Sequence, residues 1–146
     1  MNKKGFLLVE VLMGLFLLGI INVTCLPILS TAMHNMILSK QKIDMLFIAE
    51  STIEQIKSFD YSQPNEQWLF DIRLNELIDM FNDKDSVNIS LPLDRENSSY
   101  KYNCTIHKKN NSNDLWEIRA EVSPIKKEKK IKDVTIIAFV SAHKKE

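Results

Sequence analysis

The hydrophobic pattern divides the chain into three regimes. From Phe6 to Leu29 the residues are apolar almost without interruption, and Glu10 is the only formally charged side chain between Lys4 and Lys40. A helix that crosses a bilayer needs about 20 apolar residues, so the run predicts a transmembrane helix behind a short basic leader. The positive-inside rule then leaves Lys3 and Lys4 in the cytoplasm and sends everything after His34 outward. Beyond the run, Leu38, Met45, Ala49, Ile53, Ile56 and Phe59 recur at three- and four-residue spacing, while Lys40, Lys42, Asp44, Glu50, Glu54 and Lys57 fill much of the remainder. That spacing predicts an amphipathic continuation of the same helix. Its end is expected between Asp60 and Pro64, since a proline disfavours helix at the residue before it, Gln63. At 1.5 Å per residue, Phe6 to Phe59 is about 80 Å of helix.

Past that point a second helix precedes the strands. Trp68, Leu69, Ile72, Leu77, Ile78, Met80 and Phe81 predict a second amphipathic helix over Asn65 to Asn82, and Asp83-Lys84-Asp85-Ser86 punctuates it. Period-two alternation then takes over. Val87, Ile89 and Leu91 form one strand, Tyr100, Tyr102, Cys104 and Ile106 a second, Leu115 to Val122 a third and Val134 to Ser141 a fourth. Polar loops are expected at Asp94 to Ser99, Lys108 to Asp114 and Pro124 to Asp133. A sheet this small cannot stand alone, so one face must pack on the first helix. The expectation is an α+β chain: a long N-terminal helix packed on an antiparallel sheet of about four strands, with a short second helix.

The acid at the head of the apolar run needs an explanation. A carboxylate in mid-membrane is unfavourable by about 2.5 to 3.5 kcal/mol, less toward the interface. A secretory signal peptide fits poorly: Ser30-Thr31-Ala32 would serve as a cleavage site, but the apolar stretch is overlong and Glu10 interrupts its head. The residues before Cys25, Asn22-Val23-Thr24, are too polar for a lipoprotein signal. A plain signal anchor gives no reason to keep the acid. Within the span, Pro27 lacks a backbone donor and should loosen the helix one turn earlier, and Gly14 and Gly19 lower helix propensity. Gly19 to Pro27 is therefore expected to be a softened segment, in which Asn22 could satisfy a freed carbonyl.

Gly5, then Phe6, then Glu10 as the fifth residue counted from Phe6, with an uninterrupted apolar helix behind them, resembles the class III leader of type IV prepilins and pseudopilins. The resemblance implies that a membrane-embedded prepilin peptidase cuts between Gly5 and Phe6 and methylates the new Phe6 terminus. It also implies that Glu10 meets the terminal amine of a neighbouring subunit. Gly19 and Pro27 stand about where pilins bracket a segment that melts on assembly. Ala49-Glu50-Ser51-Thr52-Ile53-Glu54-Gln55-Ile56 is similar to a helix segment of I-type minor pseudopilins and their pilus counterparts. On this reading residues 1–5 are a leader peptide, 6–29 a membrane or filament-core helix, 30–60 its amphipathic continuation and 61–146 a globular head. The partners it implies are the prepilin peptidase, other pilins or pseudopilins and an inner-membrane assembly platform. A pilus, a type II secretion system and a competence system all remain open, as does a single-pass anchored binding module of another class.

Composition adds less. The formal charge is +0, which recommends neither nucleic acid nor an acidic substrate. The distribution is uneven, however: Lys40 to Asp85 holds ten acids and five bases, and Lys101 to Glu146 eleven bases and six acids. The run Lys126-Lys127-Glu128-Lys129-Lys130-Ile131-Lys132 reads as a solvated loop. DNA contact is its sharper alternative, against which stands the lack of interleaved aromatic residues. Cys25 and Cys104 lie too far apart in character, one in the apolar run and one in a strand, for a bridge to be expected; both read as buried free thiols. His34, His107 and His143 show no metal spacing, the Asp83–Ser86 turn lacks the glycine and glutamate of a calcium loop, and no phosphate loop or nucleophile elbow occurs. The Asn-X-Ser/Thr sequons at Asn88, Asn97, Asn103 and Asn110 are expected by chance in an asparagine-rich chain. No catalytic residue, metal site or cofactor is read.

Overall fold

In the computed structural model the described residues are 3–62, 67–94, 99–112, 114–126 and 131–143, with side chains from Leu7 onward. The chain divides into two compact units, Met1–Lys40 and Gln41–Glu146, and helix α1, Lys3–Lys57, contributes to both. In the first unit α1 is continuous, and every described side chain from Leu7 to Ile37 is exposed. It is one helix long and apolar enough to cross a membrane. Three to four apolar residues per two turns would make a stripe; here apolar residues cover all sides, the signature of a helix that lies in lipid or in an apolar assembly.

The second unit is the α+β head. Met45, Ala49, Ile53 and Ile56 of α1 are buried, with Thr52 beside them, so the predicted stripe is the buried one. Strands β1 (Trp68–Leu69) and β2 (Ile72–Arg73) form a small hairpin. Helix α2 (Leu74–Asp83) follows, burying Leu74, Leu77, Ile78 and Phe81. Strands β3 (Ser86–Leu91), β4 (Tyr102–Ser112), β5 (Leu115–Pro124) and β6 (Val134–Ser141) then build a four-stranded antiparallel meander in sequence order. Its inner face carries Leu91, Cys104, Ile106, Trp116, Ile118, Ala120, Val122 and Val140 into the core shared with α1 and α2. Each face follows from the period-two pleat.

The main differences from the sequence expectation each have a physical reason; Tyr100, expected in the second strand, also falls just before β4 and serves the hairpin described next. Helix α1 ends at Lys57 rather than Phe59; Phe59 is instead buried in the turn beyond it, stacked edge-on to Tyr61 at 4.8 Å. The Gln63–Pro64 stop signal lies outside the described residues. The second helix starts at Leu74, not Asn65, because Trp68 to Arg73 folds into the hairpin. Its two-residue connection places Phe70 at φ 57°, a conformation normally given to glycine or asparagine. Without such a residue the hairpin is invisible in the sequence. Tyr100 holds it, with its ring 5.2 Å from that of Phe70 and its hydroxyl donating to the Phe70 carbonyl at 3.3 Å.

The third difference is Lys108, expected in a loop and found in β4, almost fully buried. Continuing the Cys104, Ile106 alternation puts residue 108 on the core face, in a row with Val87 and Ile118. The ammonium reaches the end of α2, donating to the Phe81 carbonyl at 2.6 Å and the Lys84 carbonyl at 2.7 Å. The last carbonyls of a helix have no intrahelical partner, and a cation there also opposes the helix dipole. Lys108 thus caps α2 from the sheet, with its Nζ 5.2 Å from the centre of the Trp116 ring.

Candidate functional site

The residues of the leader motif all lie on α1. The helix backbone includes Gly5 and Phe6, whose side-chain environment lies outside the described set. Glu10 is exposed, among Leu7, Leu8, Val9, Val11, Leu12 and Met13, each more than half exposed. Among the described residues nothing in its own chain pairs with it. It stands four positions after Phe6 on the helix, a rise of about 6 Å on the same face. Geometry therefore brings a cation offered to Glu10 from outside close to the helix start, and leaves the carboxylate available to it.

Gly19 and Pro27 sit within unbroken helix. A Cβ at Gly14 or Gly19 would meet nothing within 4 Å, so both faces are open to another helix. Pro27 removes the donor that would serve the Val23 carbonyl. The side chain bonded into this stretch is Thr24 rather than Asn22: its hydroxyl lies 2.9 Å from the Ile20 carbonyl and 3.1 Å from that of Ile21. Thr31 likewise donates to the Pro27 carbonyl at 2.9 Å. Hydroxyls returned to the preceding turn tend to bend helices and weaken them slightly; α1 nevertheless runs unbroken through the segment expected to soften.

In the head, a cluster missed in the sequence ties the C-terminal strand to both helices. The Ile56 carbonyl can only accept, so His143 Nε2 carries the proton of their 2.8 Å bond. The His143 ring packs edge-on against Phe59 and Trp116, 5.7 Å from each. Asn82 Nδ2 donates to the His143 carbonyl at 2.8 Å and to Tyr61 Oη at 3.0 Å, and Tyr61 donates to Asp79 at 2.9 Å. Desolvation first, and the Asp79 hydrogen bond second, push the Tyr61 phenol up to about 12. Hydrogen bonds from the Ser62 backbone and hydroxyl hold the Asp60 carboxyl below its ordinary value. Burial pulls the Lys108 ammonium below its ordinary value, against the attraction of Asp85. These are links in a scaffold, and none of them lines the cleft described below.

The two cysteines are free, Cys104 buried as expected and Cys25 exposed on the apolar helix. Burial pushes the Cys104 thiol up to about 11, the opposite of an activated nucleophile. Of the lysine run, Lys126 and Lys132 are exposed and Lys127 to Lys130 lie outside the described residues, as does Asn97. One cleft on the head is lined by described residues. It has a volume of about 340 Å³, and Phe47, Phe70, Trp68 and Tyr100 line it with Ser51 and Gln55 at its polar side.

Fold and site together define an α+β chain with, among the described residues, one helix long and apolar enough to cross a membrane. No family model, no curated protein and no solved structure matches it.

Proposed function

We propose that the chain is a minor type IV pilin or pseudopilin, a structural subunit that is cleaved after Gly5 and then joins, or primes, a filament through its N-terminal helix. One observation carries the reading. Glu10 is exposed on an otherwise apolar helix and has no partner in its own chain among the described residues. A carboxylate in that setting is tolerable when a cation meets it, and the lysines nearest to it in sequence, Lys3 and Lys4, precede the Gly5–Phe6 bond. Cutting that bond removes both lysines and creates a new amine at Phe6. A neighbour's Phe6 amine then supplies the charge. The head's α+β architecture and the all-round apolar α1 agree with a subunit whose helix packs among other helices, and Gly14 and Gly19 allow close approach.

A single-pass anchored binding module is the second reading, favoured by the aromatic cleft of the head. A Glu10→Ala variant separates the two. In the filament reading processing survives while incorporation falls by about tenfold or more, since one buried charge pair is worth several kcal/mol when broken on one side. Incorporation equal to that of the unaltered chain would remove the pairing role.

A further inference from the structure

Helix α1 and the β1–β2 hairpin supply the two walls of the head's cleft. On the helix wall Phe47, Ser51 and Gln55 follow one another at four-residue intervals, one to a turn along one face. Gln55 Nε2 donates to Ser51 Oγ at 3.2 Å. That bond leaves the Ser51 hydroxyl proton, the Gln55 carbonyl oxygen and one amide proton without a partner among the described residues. The opposite wall is aromatic. Trp68 and Tyr100 line it while staying 55% and 44% exposed, and both are held. The Arg73 guanidinium, on the register partner of Trp68, lies 5.3 Å from the centre of the indole and covers one of its faces. Tyr100 is tied by its hydroxyl to Phe70. Phe70 holds φ 57°, where glycine or asparagine would be unstrained, and the strained turn puts a third ring into the wall. Strain of this kind collects at ligand sites.

The lining selects among ligands. At about 340 Å³ the cleft lies at the small end of ligand pockets. No charged side chain is among its described lining residues, so nothing there neutralises a phosphate or a carboxylate. A quaternary ammonium, the usual guest of an aromatic cage, would meet an indole that Arg73 already supplies with a cation, and no carboxylate in the wall would balance it. A purely apolar ligand would cover the Ser51 and Gln55 groups and leave them unpaired. Proline-rich peptides favour aromatic grooves, but without N–H groups they would leave the Gln55 carbonyl unserved. A neutral ring with apolar faces and a hydroxylated edge meets every condition. A pyranose sugar is such a ring: its slightly positive C–H bonds suit the negative face of an aromatic ring, and its hydroxyls both donate and accept.

We propose that the cleft binds one or two pyranose rings of a neutral glycan. The sugar stacks on the Trp68 face that Arg73 leaves open, and Ser51 and Gln55 bond its edge hydroxyls. The site rests on the head alone, so it holds whether the chain joins a filament or stays an anchored module.

The test uses the full chain in a polyoxyethylene detergent, which carries neither sugar nor ammonium, and saturation-transfer NMR. Maltose, cellobiose and lactose are the probes, with tetramethylammonium and hexaproline as rivals. At least one disaccharide should bind with a dissociation constant on the order of 1 mM, more tightly than either rival, with transfer strongest to the C–H protons of one ring face. Trp68→Ala should weaken that binding about tenfold or more. Gln55→Leu, which keeps a good helix former at a half-buried position, should weaken it about fivefold with the head's melting unchanged. If Trp68→Ala lowers the melting, Gln55→Leu alone decides. No binding of any of the three sugars, equal or tighter binding of a rival, or sugar binding that Gln55→Leu leaves unchanged would each overturn the proposal.

Discussion

Replacing Lys108 by methionine tests the account of the head most sharply, because two physical effects oppose each other there. Burying an ammonium is costly, and exchanging a buried ion for an apolar side chain sometimes stabilises a protein. Lys108, however, donates to two carbonyls, Phe81 at 2.6 Å and Lys84 at 2.7 Å. Hydrogen bonds to a charged group are worth about 1.5–3 kcal/mol each, and a partly desolvated cation over an indole adds roughly 0.5–2 kcal/mol. Methionine keeps most of the buried stem but leaves both carbonyls at the end of α2 unserved, at about 1–3 kcal/mol for each one kept from water. With the relief of ammonium desolvation set against these losses, Lys108→Met should destabilise the head by about 2–4 kcal/mol. For a unit of this size that is a fall in Tm of roughly 10–25 °C. Near-UV circular dichroism follows it through the buried Trp116, with the full chain held in nonionic detergent. A loss below about 0.5 kcal/mol, within the range of an ordinary surface substitution, would refute the capping role.

Two further predictions concern the same scaffold. The Cys104 thiol titrates near 9.0 when unfolded and at about 11 in the fold. Its neutral form therefore contributes stability that is fully present below pH 9 and lost as pH rises to 11, about 2–3 kcal/mol in all; Cys104→Ala should flatten the decline measured by urea melts across that window, and an unchanged slope would contradict it. His143→Phe keeps the ring packing but removes the donor to the Ile56 carbonyl; it should cost about 1 kcal/mol and speed amide exchange in the last turns of α1, and unchanged exchange there would count against the lock.

The parts of the fold that were legible in the sequence are those where one period runs long enough to repeat. The α1 stripe from Met45 to Ile56 emerges from spacing alone, because its periodic apolar positions are the buried ones. Strand β6 from Val134 to Ser141 emerges as a β-branched and aromatic apolar run bounded by polar residues, although Ile137 and Phe139 stay exposed. Legibility fails where a polar residue is inside or an apolar turn residue replaces a polar one. Lys108 is the first case: its charge signals a loop until the α2 carbonyls that receive it are known, and those are 24 and 27 residues away. Phe70 is the second, an aromatic residue at a left-handed turn position that carries no turn signal. His143 looks like a tail residue because its partner, Ile56, is 87 positions distant. In the candidate site, Glu10 is conspicuous by charge alone, and the structure adds that the described part of its chain offers it nothing to pair with. The Thr24 bonds to Ile20 and Ile21 needed three dimensions.

The central claim is that Gly5–Phe6 is a cleavage point and that the resulting amine is the cation Glu10 needs. N-terminal sequencing and intact mass of the chain, extracted from membranes of cells with an active prepilin peptidase, test it most directly. The account predicts a chain that starts at a methylated Phe6. A chain that starts at Met1 would contradict it and make α1 an ordinary anchor; one that starts after Ala32 would contradict it and make the apolar run a signal peptide.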